Sequence, residues 1–293
     1  MSQPMWVSSS VIARMSAVLN EFSSQPAPEA SGNQWPQGYW AHGRYYGNWK
    51  PGKYLVPIDA EELNRLDIFH KFFLVARNNS LSEQIPEVMA VDLNRIQPNF
   101  IPRGMITVQY DIEDPSWDDL LFHCDLVHLR TLLGSIQNPC WPAVYRNAFQ
   151  HLTPGTGYLE QVEIDWIPRW DKESEVPTHS ALNEWADRLL AALDRCNRNA
   201  RIMPQETRRM IEQAGFVDFQ EQTIRCYVNP WSPDPNEREA AKWFNLGLRQ
   251  AVEAMGLMPM IEKLGMTAEQ VKDLCHRVVE ENTKLRFHGY CTM

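Results

Sequence analysis

The sequence predicts an α/β protein in which short, mostly parallel strands alternate with amphipathic helices. Three observations carry this. Four apolar runs, VMAVDL (88–93), MITVQY (105–110), CDLVHL (124–129) and YLEQVEI (158–164), each stop at turn or polar residues, as buried strands do. A helical stretch around Trp141 to His151 separates the last two runs. Interleaving of this kind is the pattern of a sheet with parallel pairs.

Taken in order, residues 1–22 read as a short helix with Val11, Met15, Val18 and Leu19 on one side. Residues 23–38, rich in Pro, Ser, Gly and Gln, read as a flexible linker. Residues 1–38 are therefore expected to form an arm, and 39–293 a single domain. After an aromatic segment, YWAHGRYYGNWKPGKYLVP, Asp59 and Glu62 stand at capping-box spacing. Leu66, Phe69, Phe73 and Ala76 then recur at helical spacing, and NNSLSEQ beyond Arg77 reads as a loop.

Past the four strands, Leu182, Trp185, Ala186, Leu189 and Leu193 mark an amphipathic helix. Pro204 and Gly215 suit the first turn and the C-terminal stop of another, with a strand to follow by residue 228. The remainder is helical: Asn236 to Met255, then Thr267 to Glu281, opened by a Thr267/Gln270 capping box. The Gly155-Thr156-Gly157 triplet precedes a strand instead of following one, so it reads as a helix-to-strand turn and not a cofactor loop.

The 293 residues, 44% hydrophobic and 22% charged, suffice for a sizeable core. A net charge of −9 argues against a nucleic-acid partner, which needs Lys and Arg along phosphates, and against docking on anionic lipid. No apolar run is long enough to span a bilayer, and the N-terminus lacks a secretory pattern. The six cysteines form no CxxC pair, so neither a metal site nor a disulfide framework is indicated, and a reducing compartment fits. A cytoplasmic protein is expected; no basic cluster marks it for nuclear import.

The motifs GRYYGNWKPGKYLVP, DAEELNRLDIFHKFFLVAR, VDLNRIQP, DLVHLRTLLGSI, WPAVYRNAFQHLTPG, YLEQVEIDWIPR, AGFVDFQEQ, VNPWSPDPNERE and KWFNLGL stand in this order across most of the chain. Their order resembles the LaeA-like fungal methyltransferases, proteins in or regulating secondary-metabolite pathways. The resemblance implies a Rossmann-like methyltransferase fold with helical additions at about 178–200 and 236–285, S-adenosylmethionine (SAM) as cofactor, and methylation of a small-molecule oxygen or nitrogen. Regulators in this family resemble nuclear proteins. The sequence departs from the family in one central place. Between LVAR and VDL the family carries a strand and a glycine-rich turn of the DLGxGTGxW kind; here LVARNNSLSEQIPEV runs almost directly into MAVDL. The family also places a last strand after HGYCTM. An incomplete sheet is therefore expected. A non-methylating descendant, serving as a regulatory binding partner or as a SAM-independent cyclisation catalyst, is the alternative.

Candidate site residues follow. In the family an acid at Asp92 resembles a ribose-hydroxyl acceptor, and a carboxylate after a strand can take two hydrogen bonds from a diol. Asp111 and Ile112 stand where such folds hold adenine. His128 is a candidate general base, and Arg130 can orient a carboxylate. Glu160 and Gln161, with Glu163 beyond, put polar groups on a strand that would otherwise be buried, which suits a cleft. Tyr46 belongs to an aromatic segment that can cover cofactor or substrate. The expected partners are a small-molecule substrate and a regulatory protein; no metal, nucleic acid or membrane is expected.

Overall fold

The computed structural model describes residues 3–8, 37–77, 88–97, 101, 104–172 and 177–293. The elements in chain order are β1 (Gln3–Ser8), β2 (Gly38–Ala41), β3 (Arg44–Gly47), α1 (Ala60–Ala76), β4 (Val88–Asp92), β5 (Met105–Gln109) and β6 (Cys124–Arg130). Then come α2 (Trp141–His151), β7 (Tyr158–Val162), β8 (Asp165–Arg169), α3 (Ala181–Arg195), α4 (Pro204–Ala214), β9 (Arg225–Tyr227), α5 (Pro235–Leu264), α6 (Ala268–Asn282) and β10 (Tyr290–Thr292).

Five strands pair in the order β5-β4-β1-β6-β7, every pair parallel. After only Glu163 and Ile164, β8 opens an antiparallel set ordered β8-β10-β9. All five residues of β4 are buried, as expected for a parallel strand covered on both faces.

The centre of the sheet differs from the sequence expectation. Gln3–Ser8, read as part of a helical arm, is a strand lying between β4 and β6 and parallel to both. Val11, Met15, Val18 and Leu19, the face of that expected helix, lie outside the described residues. The physical reason is the unpaired edges. Without a strand between them, β4 and β6 would leave buried N–H and C=O groups without partners. The Trp-Val pair of QPMWVS favours extended backbone, and Pro4 falls where the register shifts between Gln3 and Met5, a position where proline's missing N–H is tolerated. Gln3–Ser8, which falls before the boundary expected at residue 38, thus pairs within the sheet. Gln3–Ser8 occupies the position between β4 and β6, while Tyr290–Thr292 pairs only within the separate three-stranded set.

Local signals set the helix ends. Asp59 accepts the Glu62 N–H at 3.0 Å and also binds Arg44, while the Glu62 side chain turns to Arg65 instead of closing a capping box. Both halves of the Thr267/Gln270 box form. Gly215 ends α4 at φ 114°, in the left-handed region that glycine enters freely. The Gly155 region is a turn from α2 into β7, with Gly157 N–H donating to the Thr153 carbonyl at 2.8 Å. α5 runs past the expected Met255 to Leu264, through Pro259. Burial of Leu257, Met258 and Met260 outweighs the roughly 3 kcal/mol that an interior proline costs.

Two cores flank the sheet. One, beneath α1, α3, α5 and α6, holds Phe69, Trp166, Trp185 and Phe244. The other, beneath α2 and α4, holds Val127, Leu129, Trp141 and Tyr145. No helix among the described residues is long and apolar enough to cross a membrane.

α1 and α5 approach closely at Gly247, where an added Cβ would stand 2.7 Å from Phe69 Cε2. Phe69 cannot yield, because Phe72, Trp166 and Phe244 hold it edge-on with ring centroids 6.1 Å away. Gly247→Ala is expected to lose about 1–3 kcal/mol to overpacking, more than the roughly 1 kcal/mol gained in helix propensity. Urea unfolding of the variant measures the difference.

Candidate functional site

A cavity opens beyond the C-terminal ends of β4, β5 and β6, where ligands sit in open α/β sheets. The segment before α1, helix α1 itself, and residues of α3 and α5 wall it from the other side.

Asp92 closes β4 and is 3% exposed. Its Oδ1 accepts the Asn94 N–H at 2.9 Å, while Oδ2 has no partner among the described residues. Burial pushes this carboxyl well above the usual range, although backbone hydrogen bonds from Asn94 and Leu93 act the other way. A buried carboxylate oxygen without a donor is costly, and a ligand hydroxyl would relieve that cost.

Asp111 and Ile112 also line the cavity. Asp111 is gripped by Lys50 at 2.9 Å and Lys53 at 2.8 Å. Burial would raise its pKa, but these lysine hydrogen bonds hold it below the usual range. Lys50 continues to Asp114, and Lys53 to Glu113. The GRYYGNWKPGK segment is thereby clipped over the end of β5. Ile112 is buried, and its carbonyl accepts the Trp117 indole N–H at 3.0 Å.

At the end of β6, Thr131 adopts φ 52°. A β-branched residue rarely occupies this left-handed region, which costs about 1–3 kcal/mol. The turn that follows aims the Leu132 and Leu133 N–H groups at the Glu163 carboxylate, each at 3.1 Å. Gln161 Nε2 adds a third donor at 3.0 Å. Burial nevertheless dominates and pushes Glu163 up to about 7. Glu163 lines the cavity and is poised to change charge near neutral pH.

Not all expected residues meet here. His128 and Arg130 lie on the opposite side of β6 from Val127 and Leu129 and do not line the cavity. His128 Nδ1 meets Glu160 at 2.6 Å, and Glu160 also pairs with Arg77 at the end of α1. Burial lowers His128 to about 4, against the Glu160 hydrogen bond, so it is neutral at pH 7. Glu160 is held at about 2 despite burial, by His128 and Arg77. Arg130 packs over the Phe73 ring at 4.9 Å and approaches His70 at 3.4 Å. This is a buried polar seam between sheet and α1. Gln161 accepts the Tyr145 hydroxyl at 2.8 Å and acts on the cavity only through Glu163. Tyr46 is fully buried, stacks on Tyr39 and stands outside the cavity wall.

Sequence reasoning missed Lys53, Arg65 and Arg198, all of which line the cavity. Arg65 is tied to Glu62 in a buried pair. No sequence spacing announces Arg198, which reaches the cavity only through tertiary packing.

The residues present fit one half of SAM. Asp92 Oδ2 is an unmet acceptor for a ribose hydroxyl, and Ile112 is an apolar wall for a base. For the amino-acid half, the glycine turn that would cradle it is absent from the sequence, and the Gly155 turn lies at the start of β7. No group of His, Cys, Asp and Glu among the described residues is arranged to hold a metal ion.

A family model described as a methyltransferase domain matches residues 71–221. Fold, cavity and match together define a methyltransferase-domain protein. Within that class, the chain belongs to the LaeA/LAE1 family of secondary metabolism regulators. It is 51% identical to the "Secondary metabolism regulator LAE1" of Gibberella fujikuroi, over 90% of this chain and 93% of that protein. It is 51% identical, with the same coverage, to the "Secondary metabolism regulator laeA" of Fusarium oxysporum f. sp. lycopersici. With the corresponding Cochliobolus heterostrophus regulator it shares 34% identity over 90% of its length and 94% of that protein. Among solved structures, the cyclopropane synthase MmaA2 from Mycobacterium tuberculosis matches 70% of this chain and 68% of its own, at a TM-score of 0.39 and 11% identity.

Proposed function

We propose that this chain regulates secondary metabolism through a working methyltransferase pocket, binding SAM by its nucleoside half and methylating an oxygen or nitrogen of a small acceptor. The observation that carries this reading is the buried Asp92 Oδ2 at the end of β4, which has no hydrogen-bond partner among the described residues.

SAM, when bound, supplies an already activated methyl group. The chain's own work is to orient the acceptor, exclude water and take a proton. Asp92 would hold the donor's diol, and Ile112 with Asp111 would flank its base. Glu163, and not His128, is the base in reach of the cavity. Its carboxyl is protonated below about pH 7 and ionised above. Proton removal needs the ionised form, so methyl transfer by the full-length protein should rise with pH through about 7 and level off above it. Glu163→Gln should lose this rise and most of the rate. Because its amide would face the Leu133 N–H, the melting temperature is read alongside. A rate flat from pH 6 to 8 would exclude Glu163 as the base.

The absent glycine turn favours a second reading: a non-methylating pocket that serves as a regulatory binding partner for another protein or catalyses a cyclisation without SAM. Product analysis separates the two. A methylated metabolite formed only with SAM supports the first; full activity that ignores SAM supports the second.

A further inference from the structure

Arg198 is 2% exposed and lines the same cavity, in the loop just after α3. Its Nη2 donates to the Gly52 carbonyl at 3.3 Å. Its Nε and Nη1 have no acceptor among the described residues. No carboxylate among the described residues lies within salt-bridge distance of it; Glu113 and Asp111 act on its charge only from farther away, and both are taken by lysines. A guanidinium sealed from water with free N–H groups is expensive in the empty protein. Whichever Nη2 proton goes to Gly52, the other edge of the group keeps two parallel donors. That fork is the shape a carboxylate takes.

Its neighbourhood is built rather than incidental. The Gly134 N–H donates to the Asn199 carbonyl at 3.0 Å, and the Asn138 N–H to the Asn197 carbonyl at 2.9 Å. Gly134 sits at φ 81°, where a Cβ would stand 3.0 Å from Leu193 and 3.2 Å from Ala200. The loop after β6 and the loop after α3 are thus locked together, with Arg198 held between them.

We propose that Arg198 is the carboxylate-binding residue of this cavity. The proposal rests on the ligand pocket described above and names one chemical feature of what it takes. The carboxylate has two possible sources: the amino-acid tail of the methyl donor, for which the glycine turn is missing, or an acidic acceptor.

The test is calorimetric titration of the full-length protein and of Arg198→Gln with SAM, with decarboxylated SAM, and with benzoate as a plain carboxylate probe. Melting curves confirm that the variant folds; removing an underused buried charge should leave the midpoint unchanged or higher. If the donor's tail is the source, the variant binds SAM at least tenfold more weakly and decarboxylated SAM as before. If the acceptor is the source, SAM binding is unchanged, while benzoate binds the natural protein at millimolar concentration and not the variant. Arg198→Lys, which keeps charge without the fork, should recover only part of either loss and serves if the glutamine variant does not fold. Equal binding of SAM and of benzoate by natural protein and variant would overturn the proposal, as would the absence of any carboxylate-dependent difference. Failure of the natural protein to bind either donor would instead count against the SAM reading, and the benzoate arm would still decide Arg198.

Discussion

Trp117→Ala is expected to destabilise the protein by about 3–5 kcal/mol, the range for emptying a large aromatic site in a core. The side chain is 1% exposed and packs in the core beneath α2. Its indole N–H donates to the Ile112 carbonyl at 3.0 Å, and its own carbonyl binds His151 at 3.0 Å. Truncation therefore opens a cavity and releases the Asp111–Glu113 turn from behind. That turn carries both lysine clips and one wall of the ligand cavity. Chemical denaturation should show the loss in stability. Trp117→Phe should recover most of the packing but not the bond to Ile112. If Trp117→Ala cost less than about 1 kcal/mol, the packing of this turn as described would be wrong.

Asp92→Asn should act in opposite senses on stability and binding. Burial raises the Asp92 pKa in the folded state. A group raised in this way contributes stability that is complete below its unfolded pKa and is lost as pH rises through the folded value. At neutral pH the folded protein thus carries the cost of a desolvated acid. The amide removes that cost and keeps an oxygen for the Asn94 N–H. We expect the variant to be at least as stable as the natural protein at pH 7 to 8 and to lose part of its pH dependence. Ligand binding moves the other way. The amide offers a diol one acceptor oxygen where the carboxyl offers two. A loss of about 1.5–3 kcal/mol, roughly tenfold to a hundredfold in affinity, follows. Thermal melts across pH and titrations at one pH measure the two effects separately.

What the sequence disclosed was local. The Asp59 cap, the Thr267/Gln270 box and the Gly215 stop are written within a few residues and form as expected. The four strand runs paired as parallel neighbours because their apolar continuity is visible without partners. β1 was not legible. Six residues with one proline carry no period, and their pairing with Met89–Val91 and Val127–Arg130 spans long stretches of chain. The same division holds at the site. Asp92, Asp111 and Ile112 stand at strand ends, where the fold class itself places ligands, and they line the cavity. His128 and Arg130 could be seen to share a face, opposite Val127 and Leu129, but alternation does not say which face meets a cleft. The cleft lies beyond the strand ends, and that face meets α1. Glu163 stood in view as one polar residue among three; its convergence with Leu132 and Leu133 depends on the left-handed turn at Thr131. Lys53 and Arg198 arrive from segments far away in sequence, and nothing local marks them.

Calorimetric titration of SAM into the natural protein and into Asp92→Asn tests most directly whether the end of β4 holds the donor without a glycine turn. Saturable binding by the natural protein, weakened at least tenfold in a variant that melts no lower, is the predicted result. No heat of binding at millimolar SAM, or equal binding by both proteins, would contradict it.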